Sequence, residues 1–201
     1  MGYAACARSS TLSAVVGLLA AEMAAYYRAE LTGKPDGLAP LAVQYADFAV
    51  WQRRWSEGEA CRSQIEYWRT RLAGVAALEL QTDFPRPARP SARGAQAAFR
   101  LPAPTVIALE KLAQAEGATL FMALLAVFKV LLHRYTGQAD LAVGSPVTGR
   151  SRPETAPLIG FFTNTLVLRT TVAGQPGFRS WLRAVRETCL GAYAHQDAPL
   201  E

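Results

Sequence analysis

Val143-Gly144-Ser145-Pro146-Val147-Thr148-Gly149-Arg150, followed by Ile159-Gly160-Phe161-Phe162-Thr163-Asn164-Thr165-Leu166-Val167-Leu168-Arg169, decides the fold class of this chain. Leu141–Gly144 is a short apolar run, and Asn164–Thr171 is rich in β-branched residues, so both read as strands. Between them Ser145–Gly160 carries Pro146, Gly149, Pro153 and Pro157, and reads as a loop. Asn164 and Thr165 stand at the mouth of the second strand, where an amide and a hydroxyl can hydrogen-bond a bound carbonyl or amide. Asn164 equally fits as a residue that ends a turn.

Helices surround this core. Val15, Leu18, Leu19, Met23, Tyr26 and Tyr27 recur at helical spacing over Ser13–Leu31, with Ser13 placed to cap and Gly33 and Pro35 to stop the run. Further helices are expected over Tyr45–Ser56 and over Glu59–Leu72, the latter burying Ile65, Trp68 and Leu72. A strand is expected over Ala95–Leu101, then a helix over Pro104–Ala115. Another helix is capped by Thr119 and ends at Gly137; it is apolar nearly all round and so should be buried. A last helix covers Phe178–Ala194, with Trp181, Leu182, Val185, Cys189, Leu190 and Tyr193 on one face. Strands alternating with helices argue an α/β fold. Asp83–Ser91 contains Pro85, Pro87 and Pro90, which forbid regular structure and mark a boundary near residue 86.

Of the 201 residues 51% are hydrophobic and 18% charged, with mean hydropathy +0.08, which excludes a disordered chain. The net charge of +5 is an arginine excess, since only Lys34, Lys111 and Lys129 are lysines. Those arginines gather loosely between Arg53 and Arg100 but alternate with Glu57, Glu59 and Glu66, so they read as solvated surface and not as a nucleic-acid footprint. Cys6, Cys61 and Cys189 lie far apart, with only His133 and His195 as other soft ligands. That spacing argues against a metal centre or a disulfide framework and fits a reducing cytoplasm. Glu22 and Lys129 interrupt the most apolar stretches, which fall short of a membrane span.

No serine elbow and no glycine-rich phosphate loop is present. His133 falls in the last turn of its helix, where it complements the helix dipole. His195, in His195-Gln196-Asp197-Ala198-Pro199, follows the last helix; Asp197 could orient it as a base, and a helix stop explains it nearly as well.

Several longer stretches, taken in order, carry a resemblance. They are Val43-Gln44-Tyr45-Ala46-Asp47-Phe48-Ala49-Val50-Trp51-Gln52, Tyr67-Trp68, Thr82-Asp83-Phe84-Pro85-Arg86-Pro87, Ala118–Met122 with His133–Gln138, the two stretches quoted first, and His195–Glu201. Together they resemble a condensation domain of a nonribosomal peptide synthetase. The resemblance implies a partial chloramphenicol-acetyltransferase-like two-lobe α/β fold, with helices packed on a mixed sheet. Residues 13–86 would end the first lobe and 87–201 begin the second, with 1–12 matching nothing in the family.

The family joins two substrates held as thioesters on the phosphopantetheine arms of carrier proteins, so carrier proteins and adjacent synthetase domains are the implied partners, and no bound cofactor is implied. By resemblance Gly160, Phe161, Phe162, Asn164 and Arg150 line the substrate channel, whereas Asp47, Trp51, His195, Gln196 and Asp197 are structural members of family motifs. The family's catalytic motif, HHxxxDG, should precede the first helix. Ala7-Arg8-Ser9-Ser10-Thr11-Leu12-Ser13 stands there instead, with Arg8 in the place of the basic histidine, and an arginine cannot accept a proton at neutral pH. No catalytic residue is therefore assigned. The chain is expected to be a piece, short at both ends, without activity of its own; the alternative is a noncatalytic module that docks a carrier protein or a synthetase domain.

Overall fold

A computed structural model describes residues 7–85, 89, 94–172, 174 and 177–199. In chain order the elements are α1 (Ala7–Thr32), α2 (Tyr45–Ser56), α3 (Glu59–Leu72), α4 (Ala103–Ala115), α5 (Leu120–Thr136), β1 (Asp140–Val147), β2 (Asn164–Thr171) and α6 (Phe178–Ala194), with a single 3₁₀ turn at Pro153–Thr155. Among the described residues β1 and β2 form a two-stranded antiparallel sheet. The chain divides into two compact units, the first comprising the described parts of Met1–Ala73, Gly144–Val167 and Ala192–Glu201, the second Gly74–Val143 and Leu168–Gly191.

In the first unit α1 begins before Ser13, which is therefore an interior residue of the helix and not its cap, and it stops at Gly33 with φ +64°. Ala25 alone is buried on this helix among the residues whose burial is described; Met23, Tyr26 and Tyr27 are exposed. On α3 the buried residue is Cys61, whereas Ile65 is exposed and Trp68 and Leu72 are half-buried, contrary to the expected stripe. The face of α3 that carries Gln64, Tyr67 and Trp68 is instead occupied by polar and ring contacts to residues 195–198.

α2 packs its aromatic face on the segment before β2. The Tyr45 hydroxyl donates to the Phe161 carbonyl at 3.0 Å, and a Cβ added to Gly160 would overlap the Tyr45 ring. Gly149, at φ +62°, is equally constrained, because a Cβ there would overlap the Phe162 carbonyl.

The second unit is built on α5. Thr119 accepts the Met122 N–H at 3.3 Å and Gly137 ends the helix at φ +71°, as its sequence requires. Only one side of this helix is buried, through Met122, Ala123, Leu125, Ala126, Lys129 and Leu132; Phe121, Leu124, Val127, Phe128 and Leu131 are exposed. α6 buries Trp181, Leu182, Val185 and Cys189 of its expected face but leaves Leu190 exposed and Tyr193 half-buried, and the Trp181 indole donates to the Ala126 carbonyl of α5 at 3.0 Å. His133 lies 2.9 Å by its Nδ1 from the Gln138 carbonyl and serves the helix end.

Ala95–Leu101 is not a strand. The segment is irregular and exposed, because a strand is stable only where a neighbour takes up its backbone groups, and none does so among the described residues. No single helix among the described residues is long and apolar enough to cross a membrane.

Gly160→Ala pushes the Tyr45 ring off its site and should lower stability by about 1–3 kcal/mol, read as a fall in the urea midpoint; an unchanged midpoint would refute the contact. In the second unit, hydrogen bonds from Arg183 and Arg179 hold the Glu116 carboxyl below the usual range. A lowered carboxyl stabilises the fold above its unfolded pKa, about 4.3, and the gain is lost as pH falls through the lower folded value. Glu116→Gln should therefore melt below the unvaried chain at pH 7, with the gap closing as pH falls below the unfolded carboxyl range; a gap independent of pH would contradict this assignment.

Candidate functional site

The first unit contains a cavity of about 1280 Å³. One wall is α2, whose Tyr45, Phe48, Trp51, Gln52 and Trp55 recur three or four residues apart and so share a face. The rings run along it in contact, with centroids 6.1 Å apart for Tyr45 and Phe48, 5.6 Å for Phe48 and Trp51, and 6.2 Å for Trp51 and Trp55. Phe162 closes against this row, 4.6 Å from Phe48 and edge-on to Tyr45 at 5.2 Å. The Arg152 guanidinium lies 4.2 Å over the Trp51 ring, a cation–π contact at the wall. Gly160, Phe161, Asn164, Gln196 and Asp197 complete the lining with Gly149 and Thr155.

Of the residues singled out in the sequence, Gly160, Phe161, Phe162, Asn164, Thr165, Trp51, Gln196 and Asp197 thus come together on one cavity. Arg150, Asp47 and His195 are not on its lining and hold it from behind. The Arg150 guanidinium stacks 4.4 Å over the Phe162 ring and donates through Nη1 to the carbonyls of Thr155 and Ala156. Its Nη2 is buried without a hydrogen-bond partner, and burial pulls the group below the ordinary arginine range. Asp47 sits in the first turn of α2, where its carboxylate accepts the Gln44 N–H at 2.8 Å. The His195 ring lies flat on Tyr67, 3.7 Å between centroids and 3° from parallel, and its carbonyl accepts the Trp68 indole N–H at 2.8 Å.

Asn164 spends its side chain inside the fold. Its Nδ2 donates to the carbonyls of Gln196 at 2.8 Å and Ala198 at 2.7 Å, and its Oδ1 accepts the Thr165 N–H at 2.9 Å. The two hydrogens of the amide are committed, so Asn164 shapes the cavity and is not poised to donate to a bound carbonyl. From the other side the Gln64 side-chain oxygen accepts the N–H groups of Asp197 at 3.1 Å and Ala198 at 2.9 Å. Gln64 was not among the residues singled out. Its spacing from Tyr67 and Trp68, three and four residues on, places it on their face of α3 and is the signal that would have found it.

The family model of the condensation domain matches residues 14–201. A linear gramicidin synthase of Brevibacillus parabrevis is 54% identical over 187 residues, which are 92% of this chain and 4% of that protein. Among solved structures, the X-domain in the complex of X-domain and OxyB from teicoplanin biosynthesis is 32% identical, with a TM-score of 0.85 over 93% of this chain and 42% of that one. The first condensation domain of the CDA synthetase shares the fold at 24% identity, with a TM-score of 0.69 over 94% of this chain and 41% of that one. The chain therefore spans about two-fifths of the solved domains it superposes on and a small fraction of its synthetase relatives. The fold is the helices and small sheet of part of a chloramphenicol-acetyltransferase-like domain, and the chain belongs to the condensation-domain family of nonribosomal peptide synthetases.

Proposed function

We propose that this chain forms a wall of an amide-forming channel, that its substrates are aminoacyl or peptidyl thioesters delivered on phosphopantetheine arms by carrier proteins, and that the chain alone does not turn them over. The observation that carries this reading is the convergence of the family's Tyr45–Trp51, Gly149, Gly160–Asn164 and Gln196–Asp197 segments on one aromatic cavity, in a chain whose two histidines are not adjacent. Amide formation needs a neutral amine placed against the thioester carbonyl, and a base or positioning group beside it. Neither His133, held at the end of α5, nor His195, stacked on Tyr67, lies on the cavity wall. Arg8 cannot fill the role, because its guanidinium stays protonated. The aromatic row supplies what the chain can give, an apolar surface that keeps water from the thioester.

One observation favours a second reading, a docking module: the X-domain that this chain superposes on was solved in complex with OxyB. A single assay separates the two. Residues 1–201, given donor and acceptor carrier thioesters, should yield no amide by mass spectrometry, and amide should appear when a second polypeptide with the family's preceding segment and its HHxxxDG motif is added. Turnover by the chain alone, or none from a complex shown to have formed, would overturn the first reading; carrier retention without turnover would establish the second. In the reconstituted pair Asn164→Ala should cut the rate at least tenfold and also lower the melting temperature, because the same amide holds the turn at 196–198.

A further inference from the structure

We propose that Gln64 is a positioning residue, whose side-chain oxygen sets the backbone of Asp197 and Ala198 and thereby the Asp197 carboxylate at the cavity. The inference rests on the reading of that cavity as a channel wall, and it concerns a residue that is not on the wall itself.

The turn that Gln64 holds has few constraints of its own. α6 ends at Ala194, the His195 N–H still bonds back to the Ala192 carbonyl at 3.1 Å, and residues 196–198 follow in neither helix nor strand. Side chains take up their polar groups instead. Trp68 takes the His195 carbonyl, Asn164 takes those of Gln196 and Ala198, and Gln64 takes the two N–H groups of Asp197 and Ala198 with one oxygen. Asn164 and Gln64 are therefore not redundant, since one supplies donors and the other the acceptor.

The consequence for the wall is specific. Asp197 is the one carboxylate among the described lining residues, facing a wall whose other charges are Arg53 and Arg152. Its backbone N–H is fixed to α3 by Gln64, so the place from which its side chain leaves the backbone is set by that bond. Without the acceptor, two N–H groups must find water, and the turn is released into several conformers. The carboxylate is then spread over positions, which lowers the fraction of chains with the productive arrangement without removing any wall group.

The test compares three forms of the full chain. In ¹⁵N-labelled residues 1–201, Gln64→Met, which keeps the length and loses the oxygen, should speed amide exchange at Asp197 and Ala198 at least tenfold, with amides of α5 unchanged. Gln64→Glu retains an acceptor oxygen and should restore protection. In the reconstituted pair, Gln64→Met should lower kcat about tenfold with the KM for the acceptor carrier little changed, and Gln64→Glu should recover most of it. Unchanged exchange in Gln64→Met, or a Gln64→Glu variant no better than Gln64→Met, overturns the proposal. If Gln64→Met does not fold, Gln64→Asn replaces it, because one methylene fewer withdraws the oxygen from both N–H groups. If the unvaried pair forms no amide, the channel reading fails, and the exchange result alone decides whether Gln64 positions the turn.

Discussion

The two hydrogens of the Asn164 amide, given to the carbonyls of Gln196 and Ala198, fix the part of the first unit on which the cavity depends. Residues 196–198 follow a helix and lie in neither helix nor strand, so their backbone groups have no regular ladder, and burying them against a wall is costly unless each finds a partner. Here the partners are side chains from β2 and α3. Because Asn164 is also the first residue of β2, the start of the strand and the position of the turn are set together. The segment before it is held on the opposite side by Tyr45 and by the close approach of Gly149 to Phe162, so the wall is over-determined by contacts that are individually small.

The second unit relies on a different device. Lys129 is fully buried on α5, with its ammonium donating to the Leu168 carbonyl and the Thr170 hydroxyl at 2.7 Å each. Charge-assisted bonds of this kind are strong in a low-dielectric interior, and they tie the helix to β2 at one register. Thr170 is in turn 3.1 Å from the Thr188 hydroxyl of α6. Next to it Cys189 is pushed up to about 11 by burial, against the opposing charge of Lys129, so its thiol is a packing group at neutral pH and not a nucleophile.

These two arrangements mark the limit of what the sequence discloses. The bounds of α2, α3, β2 and α6 are legible because caps, glycines and periodicity agree on them. Thr119 and Gly137 bracket α5 for the same reason. The burial of α5 is not legible: a helix apolar on all sides has no pattern left to say which face is covered, and Lys129, which reads as an interruption, is among its most buried residues. β1 extends to Val147 through Pro146, which loop chemistry alone assigns to a turn, because pairing with β2 outweighs the local preference. Ala95–Leu101 shows the converse, a strand-like pattern without a partner. The cavity was legible in part, since eight of the singled-out residues meet there, and Gln64 was missed because a polar residue on a helix surface looks the same whether it faces water or a turn.

The division between wall and support explains why charged residues in these motifs are poor guides to chemistry. Asp47 closes the first turn of α2, Arg150 stacks behind Phe162 and clamps the Thr155 turn, and His195 lies flat on Tyr67. Arg150 thereby holds two residues of the cavity wall, whereas Asp47 and His195 hold Gln44, Tyr67 and Trp68, which stand off it. Polar groups are directional, so a hydrogen-bonded carboxylate or guanidinium fixes an angle that apolar packing leaves loose. The rings of Tyr45, Phe48, Trp51 and Phe162 form the surface itself. In this part of the domain the wall is defined by apolar shape, while the hydrogen bonds behind it hold that shape still.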